Sequence, residues 1–485
     1  MGAQRSRRGG LIVLLIAIVV VGIVATSVTV ARADPSPGEK SVRVVQWPEA
    51  IAPIAHRVEL IRGLRFRHSV PVRHVHVQRG TTVPVDARTR ATFETALQPL
   101  VALGLVSGDN DVASLVSTMY ESPAGVYSPE SKVIRIFVPT GAAFGHAVLA
   151  HELTHALEDQ HFRQGDRPTP RTASQAIADR AVVEGSASLV ERWYVHEQWK
   201  APFQREAPSG AVDLGTSTPL RQWEWFAALG TAPYALGLEY VDATLARGDL
   251  PWGRIVAYPP SSDVVVVDPL VSPGSLWQAT SPIPSALVRE PAALEVFLVL
   301  ASRVDPADAL EAVVHSAGAM LTTYERDGRP CADLTLLTRT PDDPAVNATL
   351  DEWIASAGAA NASRSSVANF GSRVLEPART PTGAPTVLLV KVGAPVLTSC
   401  RGVSAAPFGS FVVPLAQLVG RNAAIARALR HGLDDTTTAC VAQAVFTDPQ
   451  VRDDLRRALG SQPTISANHP RRVYRRAVAG CASNL

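Results

Sequence analysis

Lysine is nearly missing from this chain of 485 residues: only Lys40, Lys132, Lys200 and Lys391 occur, and arginine supplies the rest of the 46 basic residues. That skew reflects genomic base composition and carries no functional message. Against 44 acidic residues the formal net charge is +2, so there is no excess of positive charge to hold nucleic acid, and none is expected as a partner. Cysteine is scarce as well. Cys331, Cys400, Cys440 and Cys481 are the whole set and no pair has CxxC spacing, which argues against a cysteine-built metal site and for disulfides. Three connectivities exist; proximity along the chain favours Cys331 with Cys400 and Cys440 with Cys481. Internal repeats and coiled-coil heptads are absent. Long apolar runs are absent too, with one exception at the N-terminus.

That exception runs uncharged from Leu11 to Val30, behind Arg5, Arg7 and Arg8 and ahead of Ala31-Arg32-Ala33. Basic flank, apolar run and Ala-x-Ala fit a secretory signal cleaved after Ala33. The run is also long enough to span a bilayer, so an uncleaved anchor in the cell membrane fits equally well. Either way the rest of the chain is expected to be extracytoplasmic, where disulfides persist.

The densest chemical information is His151-Glu152-Leu153-Thr154-His155. Two histidines four apart on a helix stand on one face, about 6 Å apart at Cβ, so both imidazoles can reach one ion. The glutamate between them can act as a base on a water that the metal activates. By chance such a pentad arises in roughly one chain of this length in a hundred. Val148, Leu149, Leu153 and Leu157 recur at helical spacing around it, and Gly165 and Pro168 end the pattern, predicting a buried helix over 142–162.

A catalytic zinc site takes three protein ligands and keeps one open position. His161, six residues after His155, has metzincin spacing, but that class needs a glycine where this chain has Glu158. On an unbroken helix His161 would lie about 9 Å beyond His155 along the axis and miss the ion. No methionine occurs between 121 and 319 to make a nearby Met-turn. Glu184 is the better third ligand. It lies on a second helix expected over 173–197, whose small Ala181, Gly185 and Ala187 would let it pack closely beside the first. Asp179 and Glu191, on the same segment, are the alternatives.

The run His151 to Phe162, His-Glu-Leu-Thr-His-Ala-Leu-Glu-Asp-Gln-His-Phe, resembles a family of bacterial and archaeal extracytoplasmic zincin-like proteins. So do Arg62-Gly63-Leu64, Val70-Pro71-Val72, Leu103-Gly104-Leu105, Gly125-Val126-Tyr127-Ser128-Pro129, Val183-Glu184-Gly185, Pro233-Tyr234 with Gly237, and Tyr258-Pro259-Pro260-Ser261-Ser262. The resemblance covers roughly residues 55–345. It implies a gluzincin-like metallopeptidase with Zn2+ on His151, His155 and Glu184 and with Glu152 as general base, acting on a peptide or protein substrate. After Ser262 the family leads one to expect polar residues, including an acid and a histidine. Here Asp263-Val-Val-Val-Val-Asp268 stands instead. That departure motivates an alternative, a zinc-binding but inactive cell-surface scaffold. A cell-wall peptide amidase is a second alternative that would share the site.

The fold expected is α+β: a zincin-like core of a small sheet and active-site helices, with a mainly helical, disulfide-bearing C-terminal extension. The divisions expected are a signal or anchor over 1–33, a linker over 34–55, the zincin-like domain over 56–284, an α/β subdomain over 285–360 and the extension over 361–485. Valine alternation at 70, 72, 75 and 77, in a stretch holding His68, His74 and His76, reads as a strand with a solvated polar face. A helix is expected over 88–105 and another over 232–247. The strand over 132–138 is expected to be the exposed one that holds an extended peptide. Tyr234 and Tyr240 could steady an oxyanion, although packing is the commoner role. Trp223 and Trp225 read as core or rim aromatics, and Asn347-Ala-Thr and Asn361-Ala-Ser are glycosylation sequons by pattern alone.

Overall fold

The computed structural model describes residues 45–75, 86–106, 124–138, 143–199, 223–272, 277, 288–338, 340, 342–358, 361–366, 372–375, 388–391, 394–407, 409–460 and 469–482. The N-terminal apolar run, the Ala31-Arg32-Ala33 element and His76 lie outside the described residues. In chain order the first elements are α1 (Ala52–Arg62), β1 (Val72–His74), α2 (Ala87–Ala102), β2 (Gly125–Ser128), β3 (Val133–Ile136), α3 (Ala143–Phe162), α4 (Ala173–Trp199), α5 (Glu224–Arg247), α6 (Trp252–Ala257) and α7 (Val264–Val267). There follow β4 (Val288–Arg289), α8 (Ala293–Ala301), α9 (Pro306–His315), β5 (Ser316–Arg326), β6 (Arg329–Thr338), α10 (Pro344–Ala357), β7 (Ala362–Ser366), β8 (Ser372–Leu375), β9 (Leu388–Lys391) and β10 (Pro395–Cys400). Four helices end the chain: α11 (Val412–Arg430), α12 (Asp435–Phe446), α13 (Pro449–Gly460) and α14 (His469–Ala482). The fold is α+β, mostly helical with small sheets, as the sequence suggests. Among the described residues no helix is long and apolar enough to cross a membrane.

The chain forms two compact units. One comprises 1–79, 123–171 and 186–209; the other comprises 80–122, 172–185 and 210–485. Helix α4 is unbroken and contributes its first half to the second unit and its second half to the first.

In the first unit a three-stranded sheet has the order β1-β3-β2, with β1 parallel and β2 antiparallel to β3. The hairpin turns through Lys132, whose φ of 53° closes it, and Lys132 N–H donates to the Ser128 carbonyl at 2.8 Å. This arrangement corrects the expected role of the 132–138 strand. β3 is the centre of the sheet because β1, some sixty residues upstream, pairs with its far side; among the described residues β1 and β2 are the two edges. Helix α3 packs Val148, Leu149, Leu153 and Leu157 into the core, each at most 3% exposed.

In the second unit, β4-β5-β6-β10-β7 form an antiparallel sheet and β8-β9 a separate pair. Cys331 and Cys400 face each other across β6 and β10 and are bonded, and Cys440–Cys481 staples α12 to α14. Both pairings are those that chain proximity favours, and they fit an oxidising, extracytoplasmic setting. Helix α5 starts at Glu224, earlier than expected, with Pro233 carried inside it. Its crossing with α4 is very close: a Cβ on Gly185 would fall 2.2 Å from the Gly237 carbonyl carbon, and one on Gly237 only 2.0 Å from the Ala181 oxygen. The small residues of α4 at 181 and 185 therefore serve this close contact with α5. Trp223 and Trp225 are core aromatics, each 2% exposed.

Candidate metal centre

Helix α3 carries the pentad in the register its periodicity predicts, with His151 and Glu152 1% and 3% exposed. The Nε2 atoms of His151 and His155 face each other at 3.1 Å, with the rings edge to face. Two ligands of a tetrahedral ion with bonds near 2.0–2.1 Å stand about 3.3 Å apart, so this separation fits a shared ion. Glu184 on α4 completes the group: one ligand atom from each of His151, His155 and Glu184 lies within 4.8 Å of the others. Two imidazole nitrogens and a carboxylate, converging from helices, could hold one metal ion. Asp179 and Glu191, the other candidates on α4, are not members of this group.

The back of His151 explains where Glu191 goes. Its Oε2 lies 3.2 Å from His151 Nδ1, and both side chains are buried. Glu191 follows Glu184 by seven residues, two helical turns, so the two carboxylates share one face of α4. One turn earlier on α4, Arg180 Nε stands 4.0 Å from Glu184 Oε1, and its guanidinium lies over the Tyr234 ring at 5.7 Å. Burial opposes the charge on Arg180, but Tyr234 and Glu184 outweigh it and raise its pKa. Tyr240 is turned to its own helix, where burial raises its pKa and the Thr244 hydroxyl partly offsets this.

Glu152 reaches the hairpin. Its Oε2 accepts the Tyr127 backbone N–H at 2.6 Å, which ties this carboxylate to strand β2. Gly125 makes this approach possible: a Cβ there would fall 2.8 Å from Val148 Cγ1 and 2.9 Å from Glu152 Cγ.

Beyond the pentad, α3 acts as an anchor. Glu158 is fully buried, bonded to Arg62 Nε at 2.6 Å and to the Ser186 hydroxyl at 2.5 Å. The position where a metzincin would carry glycine is thus an internal ion pair, and the helix runs on unbroken. His161 Nε2 lies 2.7 Å from the Arg65 carbonyl, engaged with the 62–69 loop instead of the metal group. Gln160 holds the same loop through the Arg67 N–H at 2.7 Å and the His68 carbonyl at 3.0 Å. Asp159 accepts from Tyr127 Oη at 2.8 Å and Lys132 Nζ at 2.6 Å. Burial raises its pKa, yet the bonds from Lys132, Tyr127 and Gly165 prevail and hold it below the usual carboxylate value. The same burial, with Asp159 beside it, drives the Tyr127 phenol far above its ordinary pKa.

The segment that departs from the family pattern is internal structure. Val264 to Val267 form α7 and are at most 2% exposed. Asp263 accepts from the Ser174 hydroxyl at 2.5 Å and from the Ala293 and Leu294 N–H groups at 3.1 and 2.9 Å. It thereby caps α8, whose own N-cap residue, Ala292, has no side-chain oxygen to offer. Burial raises the Asp263 pKa to about 6 despite these bonds. Asp268 is paired bidentately with Arg421 at 2.9 and 3.0 Å.

What the sequence missed here is contact, not residue type: Glu191 behind His151, Tyr127 N–H on Glu152, and Arg62 with Ser186 on Glu158. Only the seven-residue spacing from Glu184 to Glu191 was available as a signal. The chain matches no family model, no curated protein and no solved structure, so the chemistry of the site has to be read from its own donors.

Proposed function

We propose that the protein is an exported zinc-dependent peptidase of gluzincin type, with His151, His155 and Glu184 as metal ligands and Glu152 as general base. The convergence of two imidazoles and a carboxylate beside a buried glutamate is the observation that carries this reading. Two nitrogens and one oxygen form a donor set suited to zinc with an open position. When bound there, the ion would supply a Lewis acid that polarises a peptide carbonyl and acidifies water at neutral pH. Glu152 takes a proton from the attacking water and returns it to the departing amine. Its bond to the Tyr127 N–H holds the carboxylate at edge strand β2, where an extended peptide would lie.

Glu152→Gln should lower turnover by about 10²–10⁴-fold on any peptide the zinc-loaded protein cleaves, while bound zinc is unchanged. The second reading is a zinc-binding scaffold without catalysis, motivated by Val264–Val267 standing where the resemblance leads one to expect polar residues. Zinc-loaded protein that cleaves nothing in a broad peptide library would support the scaffold and sink the peptidase.

A further inference from the structure

Glu191 is too buried for a solvated helix charge, and it is not among the three donors that converge. It is 7% exposed, and its carboxylate faces the one ring nitrogen of His151 that points away from His155. A neutral imidazole has one N–H and one lone pair, and the hydrogen bond at one nitrogen decides which is which. A carboxylate at Nδ1 can only accept. It therefore fixes the proton on Nδ1 and leaves the lone pair on Nε2, aimed at His155 Nε2. We infer that Glu191 is a positioning residue that locks His151 in its metal-binding tautomer and strengthens the imidazole as a donor. This inference rests on the metal-site reading above.

The arrangement also gives α4 two tasks on one face. Glu184 joins the donors directly; two turns later Glu191 sets the ring orientation from behind. Ser186 lies between them and bonds Glu158, so α4 is held to α3 by a contact that touches no imidazole. This provides an internal control for a purely structural role.

Zinc affinity is measured by chelator competition on the full chain for wild type, Glu191→Gln, Glu191→Asp and Ser186→Ala, with the melting temperature of each metal-free protein beside it. Glu191→Gln should bind one zinc with affinity about 10–100-fold weaker, as expected when an outer-shell partner is lost. Glu191→Asp should recover part of that loss. Ser186→Ala should lower the melting temperature and leave affinity within about threefold, well short of the outer-shell effect. Unchanged affinity in Glu191→Gln overturns the inference and leaves the metal site standing. Loss of the zinc even at saturation would make Glu191 a ligand, which also overturns it. Failure of the wild type to bind zinc removes the metal site and this inference together.

Discussion

Two polar clusters of this protein are built in opposite ways. Around Asp263 and Asp268 each carboxylate meets protein donors: a serine hydroxyl and two helix N–H groups for one, an arginine fork for the other. Around His151 and His155, two imidazole nitrogens face each other instead, with Glu184 brought into the same group. Complementary pairing is how a fold stabilises polar groups in its interior, since a buried polar group without partners is costly. Two imidazoles and a carboxylate gathered at one point could hold a shared cation. The first cluster is architecture, and the second is the proposed metal site.

The comparison breaks most visibly at Asp268. Asp268→Ala leaves Arg421 buried and unpaired and should destabilise the protein by about 3–5 kcal/mol in urea unfolding, with zinc stoichiometry of the folded fraction unchanged. Zinc should do the reverse. At about a thousandfold excess over its dissociation constant it should stabilise wild type by about 4 kcal/mol, and Glu184→Ala should lose most of that gain. If Asp268→Ala abolished zinc binding in folded protein, the division between the two clusters would be wrong.

Asp263 sharpens the contrast through pH. Its folded pKa of about 6 lies above the ordinary 3.8, so the folded state holds the proton more tightly than the unfolded state. Its stabilising share is therefore complete below about pH 4 and is lost as pH rises through about 6. The expected size is on the order of 3 kcal/mol, read as the difference between wild type and Asp263→Asn in unfolding series from pH 4 to 7. A difference that stays flat across that range would contradict the assignment. The smallest effect belongs to His161→Ala, which should cost about 1 kcal/mol through the lost bond to the Arg65 carbonyl and leave zinc affinity untouched.

Legibility followed the range of the interactions involved. The pentad helix and α4 were readable because a 3.6-residue period, Gly165 and the prolines at 168 and 170 are local signals, and Glu184 came with its helix. The disulfides were readable because chain proximity agreed with the β6–β10 register. The sheet was not: β1 and β3 are short, and their pairing spans about sixty residues, which placed β3 at the centre and not at the edge. Asp263 finds Ser174 89 positions away, so four valines between two acids gave no sign of a buried helical cap. In helix α14 arginines at 471, 472, 475 and 476 mask, in the sequence, the inward stripe of Val473, Tyr474, Ala477 and Cys481.

The central claim is that His151, His155 and Glu184 hold one metal ion. Its most direct test is bound-zinc stoichiometry and affinity for wild type beside Glu184→Ala and His161→Ala. One zinc per chain is expected in wild type and in His161→Ala, with affinity in Glu184→Ala weakened beyond the ~10–100-fold typical of an outer-shell change. Full retention of zinc by Glu184→Ala would contradict the assignment.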